Sequence, residues 1–208
     1  MQYDTYWSPI NYPPDVPLSN EIINHSIMIK SLIFISLFWS IPVFSQEELE
    51  KGGKGSHRIT LVLSHANVYQ GIKDGDTKWL SLPSWGLDYD YRLSDRWAIG
   101  LHTDIIVESF EVKTNLSNEE ETIKRSSPIA PALVGIFKAT KHSSFLFGMG
   151  AEFAKEENLF LSRAGYEWGT EIKGDWELGF SLCYDFRWNA YDSFLIGIGI
   201  SKIIHSKH

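Results

Sequence analysis

The chain has 208 residues, which allows one domain or two small ones, and its net charge of −7 excludes the basic surface that a nucleic-acid partner needs. Its single cysteine, Cys183, excludes an intrachain disulfide framework and any CxxC-type zinc site. The informative excess is aromatic: 14% of residues, eight of them Trp, a class that membrane-spanning β-barrels concentrate at their two interfaces.

Residues 1–27 hold several prolines and no Lys or Arg, with neither helical nor strand period, and read as an unstructured upstream extension. Met28-Ile29-Lys30 opens a different pattern: a basic start, then the apolar run from Leu32 to Trp39, then Pro42 and the small or modest residues Val43-Phe44-Ser45. That order is a secretory signal over 28–45, too short to anchor in a bilayer, with translation expected to start at Met28 and cleavage after Ser45. No Cys follows the cleavage point, so no lipoprotein anchor is expected. No later stretch reaches the ~18–20 uninterrupted apolar residues of a transmembrane helix. Residues 46–56 are polar and Gly-rich, a flexible leader.

From 57 to 204 the period is two. Eight strand-like segments are expected, at about 57–68, 79–93, 96–112, 126–138, 143–155, 159–173, 176–187 and 192–204. The seventh is the plainest. Trp176, Leu178, Phe180, Leu182, Tyr184 and Phe186 alternate with Glu177, Gly179, Ser181, Cys183, Asp185 and Arg187. Side chains of a strand point alternately to its two faces, so this ribbon has one greasy face and one small or charged face. Its length exceeds the usual soluble strand of about 5–6 residues and suits a tilted membrane-crossing strand of roughly 9–11. The first segment is ambiguous in phase, because Ile59, Leu61 and Leu63 compete with Val62. The fourth is apolar on both phases and carries Pro128 and Pro131, which point to a bulge or a start near a rim.

Tight turns are expected at Ser94-Asp95, Lys141-His142 and Gly174-Asp175. Longer polar loops are expected at 69–78 and 113–125, with shorter ones at 155–158 and 188–191. Short and long connections therefore alternate, which puts both chain ends on the short-turn side of an even-stranded barrel. The fold class is all-β: an eight-stranded antiparallel up-and-down transmembrane barrel preceded by a signal peptide.

A soluble ligand-carrying barrel has the same period with its faces exchanged. Glycine and charge on the non-apolar face favour a narrow interior filled by small and polar side chains. Aromatics at the strand ends of the apolar face (Tyr91, Trp97, Phe145, Trp176, Phe186 and Phe194) mark a girdle at the interface. The interior set is Asp88, Asp90, Arg92, His102, Asp104, Glu108, Glu152, Arg163, Glu167, Glu171, Glu177, Asp185 and Arg187. Buried charges must pair or neutralise. Arg163 and Arg187 are the expected hubs, and the lumen is expected to be plugged.

Ser64-His65 is the most catalytic-looking dipeptide, but neighbours on a strand face opposite ways and cannot pair with each other. His65 is a rim or lumen histidine, with a catalytic role as the alternative. Asp74-Gly75-Asp76 and Glu119-Glu120-Glu121 match no defined cation motif and read as solvated loops; no metal or cofactor is expected. Cys183 reads as a packed, inert thiol.

The signal peptide and the segments Trp85–Glu108 and Trp176–Ile203 resemble the small outer-membrane β-barrel proteins of Gram-negative bacteria, the class of OmpX and the OmpA membrane domain. The hairpin of Gly86-Leu87-Asp88-Tyr89-Asp90-Tyr91 followed by Trp97-Ala98-Ile99-Gly100-Leu101 carries the resemblance best. One departure is that the class usually ends on an aromatic residue, whereas this chain runs past Ile203-Ile204 to Lys207-His208. The resemblance implies a monomer in the outer membrane, in contact with the lipid bilayer, lipopolysaccharide and the outer-membrane assembly machinery. It implies a structural or surface-interaction role. The alternatives are an outer-leaflet lipid-modifying enzyme of the lipid A deacylase or acyltransferase type, and a narrow channel.

Overall fold

The computed structural model describes residues 53–114, 121–188 and 190–205. The extension and signal assigned to 1–45, most of the leader, Glu119, Glu120 and the last residues Lys207 and His208 lie outside the described residues. Among the described residues there are ten strands and no helix. They are β1 (His57–Lys73), β2 (Asp76–Arg92), β3 (Trp97–Ile106), β4 (Phe110–Thr114), β5 (Glu121–Arg125), β6 (Ile129–Lys138), β7 (Ser143–Phe153), β8 (Asn158–Glu171), β9 (Trp176–Arg187) and β10 (Asp192–Ile204).

Eight of them, β1, β2, β3, β6, β7, β8, β9 and β10, pair in that order, each antiparallel to the next, and β10 pairs with β1. The sheet is thus a closed up-and-down barrel, as the alternation and the turns require. Closure leaves no unpaired edge along the staves. His57 faces Ile204 in the β1–β10 register, so the first and last staves start and end at the short-turn mouth.

The ambiguous phase of β1 resolves outward for Ile59, Leu61 and Leu63, while Val62, Ser64 and Ala66 point in and are buried. In β6 the inward set is Ala130, Ala132, Val134 and Ile136, packed with Leu146 and Leu161 as an apolar patch on the inner wall. That explains its apolar character on both phases: one face looks outward and the other lies against this patch. The prolines do not make a bulge there. Pro128 precedes the strand at its rim, and pairing with β7 lapses at Ala130 and Pro131 and resumes in the same register.

Two corrections concern the long connections. Residues 69–78 are not a loop: β1 and β2 continue as a ribbon to a turn at Asp74 and Gly75, whose φ angles of 58° and 84° are left-handed. Such paired positive φ values suit a two-residue hairpin, and Asp-Gly is a favoured sequence for it. A bulge between Val68 and Gly71 bends this ribbon. The segment at 113–125 is not a plain loop either. The expected third strand stops at Ile106, and β4 and β5 form a separate hairpin. Val112 and Glu111 of β4 pair with Gly71 and Ile72, taking up the edge of β1 beyond the end of β10.

The hairpin also closes the barrel mouth. Phe110 and Val112 pack with Ala66, Val68, Leu82, Ile106, Leu159, Tyr191 and Leu195 in one buried cluster. The leader is tied down at its end: Gly55 donates to the Arg92 carbonyl and Arg92 to that of Ser56, both at 2.9 Å.

Candidate functional site

The barrel presents two surfaces with opposite chemistry. Outward positions carry Ile59, Leu61, Leu63, Trp85, Leu87, Ile99, Leu101, Leu133, Phe147, Met149, Leu178, Phe180, Ile196, Ile198 and Ile200, all exposed. Soluble monomers rarely expose a contiguous apolar patch beyond a few hundred Å². Here the patch runs round the cylinder. The six aromatics singled out above are each 37–54% exposed. Tyr91, Trp97, Phe145 and Trp176 lie at the short-turn end, Phe186 and Phe194 at the opposite end. Neighbouring rings extend each set: Trp97 sits 5.0 Å from Phe137, Phe145 5.5 Å from Tyr166, and Phe194 4.7 Å from Tyr184. From Trp176 to Phe186, ten steps of about 3.4 Å on a strand tilted about 40° rise roughly 26 Å along the axis.

Inside, the charges are stacked in layers. Nearest the loops, Glu152 of β7 accepts from Arg125 Nε at 2.8 Å and Nη2 at 2.5 Å, from Arg187, and from the Tyr191 hydroxyl at 2.7 Å. Arg187 also stacks its guanidinium 4.4 Å from the centre of the Tyr191 ring. In the next layer Arg163 of β8 grips Asp185 with two hydrogen bonds of 2.7 and 2.8 Å and reaches across the lumen to Asp104 of β3 at 2.7 Å. A planar guanidinium matches a carboxylate fork in this way, with both charge and orientation satisfied. These two layers hold three guanidinium groups, on Arg125, Arg163 and Arg187, and three carboxylates, on Asp104, Glu152 and Asp185. They balance.

The third layer is nearer the short-turn mouth. Arg58 of β1 donates to Asp90 at 2.8 Å and to Glu167 at 2.6 Å, with Glu177 3.9 Å away. His102 Nε2 lies 2.9 Å from Asp90 Oδ1, and its Nδ1 faces Asp88 Oδ1 at 3.8 Å. Ligand atoms of Asp88, His102 and Glu167 all lie within 4.8 Å of one another, the one such set of three His, Cys or acidic groups among the described residues. A cavity runs into this layer from the mouth, lined by Arg58, Asp88, Asp90, Lys138, Glu167 and Glu177.

The structure therefore places Asp88, Asp90, His102, Asp104, Glu152, Arg163, Glu167, Glu177, Asp185 and Arg187 on the inner face. Glu108 is a correction. β3 ends two residues before it, and Glu108 is exposed in the connection to β4, outside the lumen. Glu171, at the end of β8, is likewise exposed. Two inner arginines were missed. Arg58 was hidden by the uncertain phase of β1, although once Ile59 is set outward Arg58 must face in. Arg125 was hidden because its segment read as loop.

His65 is exposed on the outer face and Ser64 is buried on the inner one, so the dipeptide is split across the wall. On the outside His65 Nδ1 instead lies 3.5 Å from the Ser81 hydroxyl of β2. Among the described residues no carboxylate hydrogen-bonds His65. At the loop end, Ser126 donates to Glu156 at 2.5 Å, which holds that exposed carboxyl below its ordinary pKa.

Closed staves, an apolar exterior and an ion-paired interior define a barrel turned inside out relative to a water-soluble carrier. Among solved structures the chain is similar to the attachment invasion locus protein Ail of Yersinia pestis, at 13% identity and a TM-score of 0.46, over 71% of this chain and 99% of that one. It is also similar to the outer membrane protein OprG of Pseudomonas aeruginosa (14%, TM-score 0.47, 74% of this chain and 99% of that). A third is the outer membrane protein AlkL in lipid bilayers (10%, TM-score 0.48, 79% and 97%). No protein-family model and no curated protein matches the chain.

Proposed function

We propose that this chain is a small bacterial outer-membrane β-barrel protein with a sealed lumen and a structural or surface-interaction role. The observation that supports it best is the apolar sleeve around a closed cylinder whose charged side chains between the two aromatic sets are turned inward. In water, such a surface would drive association; against acyl chains it is the stable arrangement. The rise of roughly 26 Å between the two aromatic sets fits the apolar band of about 25 Å that such barrels present to lipid. The signal over residues 28–45 delivers the chain across the inner membrane, and the assembly machinery inserts it as a monomer. The short turns then face the periplasm. The β1–β2 ribbon and the β4–β5 hairpin stand outside, where they meet lipopolysaccharide and other surface partners.

The test is fractionation of a Gram-negative host expressing the full chain, followed by gel migration with and without heating. The expected result is recovery in the outer-membrane fraction with a faster-running unheated band. Mature protein that stays in solution without detergent overturns the reading.

A second reading, a lipid-modifying enzyme, rests on the outward His65–Ser81 pair. A hydroxyl beside a base is the core of a nucleophilic site, but the pair lacks an orienting acid. His65→Ala, with the lipid A mass spectrum as readout, tests it: an unchanged spectrum removes it.

A further inference from the structure

We propose that the acidic leader, Glu47-Glu48-Leu49-Glu50, seats across the short-turn mouth of its own barrel, with its carboxylates on Arg96, Lys138 and Lys141 and Leu49 on the apolar lip of the cavity. This rests on the reading above for one step only, the removal of residues 1–45 with the signal. Three observations converge. The first is where ion pairing stops. Deep in the cavity the carboxylates have partners: Asp90, Glu167 and Glu177 share Arg58, and Asp88 faces His102. At the lip the cations do not. Arg96, Lys138 and Lys141 line the same cavity, and among the described residues none of the three makes an ion pair, with Asp95 of the same lip or with any other acid. Lys138 matters most, because β6 turns it inward in phase with Ala132, Val134 and Ile136 and leaves it half-buried. A half-buried ammonium facing a lumen calls for an anion.

The second is reach. Ser56 donates to the Gly53 carbonyl at 3.1 Å, and Gly55 takes a left-handed φ of 89°. The chain therefore turns at the lip instead of running straight on below β1, and Ser56 itself lines the cavity. Eight staves about 4.8 Å apart and tilted about 40° close into a backbone ring roughly 16 Å across. Residues 46–52 span up to about 24 Å when extended. In the ring β1 is the first stave and β6 and β7 are the fourth and fifth, so the turn carrying Lys141 stands across the mouth from the foot of β1. The leader is long enough to cross.

The third is the match of sequence to wall. Residues 46–52 carry three Glu against one Lys. Counting back from Gly53, Glu50 comes first, and the β2–β3 turn that carries Arg96 is the nearer side of the mouth. Glu48 and Glu47 come last, on the side of Lys138 and Lys141. Leu49 falls between, over Ala98 and Ile136, which pair across β3 and β6 and form the apolar part of that wall. A single ion pair within reach of water is worth little. Several at once, on a segment tethered at the lip by the Gly55–Arg92 bond, gain from a high effective concentration.

The experiment expresses the full chain with its signal in a Gram-negative host and purifies the barrel from the outer membrane in detergent. The parent carries Cys183→Ser, Gln46→Cys and Ser144→Cys, since Ser144 lines the cavity on the far stave, β7. Under an added thiol oxidant the two cysteines are expected to close into a disulfide within one chain. Closure slows about 10-fold when Glu47, Glu48 and Glu50 are changed to Gln, when Lys138 and Lys141 are changed to Gln, or in about 1 M salt, where the screening length is about 3 Å. Exchanging the charges, Glu47→Lys and Glu48→Lys with Lys138→Glu and Lys141→Glu, restores the rate. Heat-modifiable migration reports the barrel itself without involving the leader, and the salt dependence of the parent stands as the test should a variant fail to close. A rate indifferent to leader charge and to salt marks random collisions of a tethered tail and overturns the proposal. So does a disulfide joining two chains, which puts the leader on a neighbouring barrel.

Discussion

Arg125, carried on the β4–β5 hairpin, buries its guanidinium completely against Glu152 of β7, with Nη2 2.5 Å from the carboxylate. A residue from outside the staves thus completes the ion network within them, and the hairpin is held to the lumen by charge as well as by Phe110 and Val112. Truncating Glu152 to Ala leaves Arg125 and Arg187 as buried cations without that partner. Breaking a buried pair in this way costs about 3–5 kcal/mol. Urea titration of the barrel in vesicles measures the loss. Arg125→Ala should in addition raise protease nicking within residues 107–128.

The sleeve makes a prediction whose size depends on the surrounding medium. Ile198, midway along β10, is one of the most exposed apolar residues of the sleeve. In water Ile198→Lys would be nearly neutral. At the middle of a bilayer it should cost about 2–4 kcal/mol, and the same change at Phe194 nearer the rim should cost about 0–1. Folding titrations into lipid vesicles separate the two outcomes.

Glycines on β6 and β7 differ sharply in the room around them. A Cβ on Gly150 would stand 2.1 Å from the Pro131 carbonyl oxygen and one on Gly148 2.2 Å from that of Leu133, whereas one on Gly135 meets only a carbonyl at 3.9 Å. Backbone cannot step aside as a side-chain tip can. Gly150→Ala and Gly148→Ala should each destabilise by about 1–3 kcal/mol, and Gly135→Ala should be close to neutral by the same vesicle titration.

The Arg163 layer bears on conduction. Arg163 joins Asp185 to Asp104 across the lumen with all three groups largely or wholly shielded from water. Planar-bilayer recordings of the wild type should show no conductance steps. A steady open level in the wild type would revive the channel alternative.

The staves were legible because one face of each is apolar and the other is not, and a shift of one residue would exchange them. β9 and β10 match their expected limits for that reason. The upper ribbon was not legible by the same rule, since Tyr69, Gln70 and Gly71 cross a bulge that breaks the alternation. Its turn was nevertheless written in the residues: Asp74-Gly75 is as good a hairpin signal as Gly174-Asp175, but polar neighbours disguised it. The lumen was legible strand by strand and not across strands. Glu167 could be assigned inward from β8 alone, yet its meeting with Arg58 follows from barrel closure, which no local pattern encodes. Arg125 was beyond reach because its placement depends on a hairpin folding back over the mouth.

The seam between β1 and β10 joins twelve residue pairs drawn from the two ends of the barrel sequence. A nascent polypeptide that has emerged only as far as Arg187 still lacks the stave against which His57 to Val68 must zip. Until the last strand arrives, two naked margins compete for any extended peptide nearby. Completion of the cylinder is therefore a late, long-range event, and the interval before it is when this protein most needs an escort.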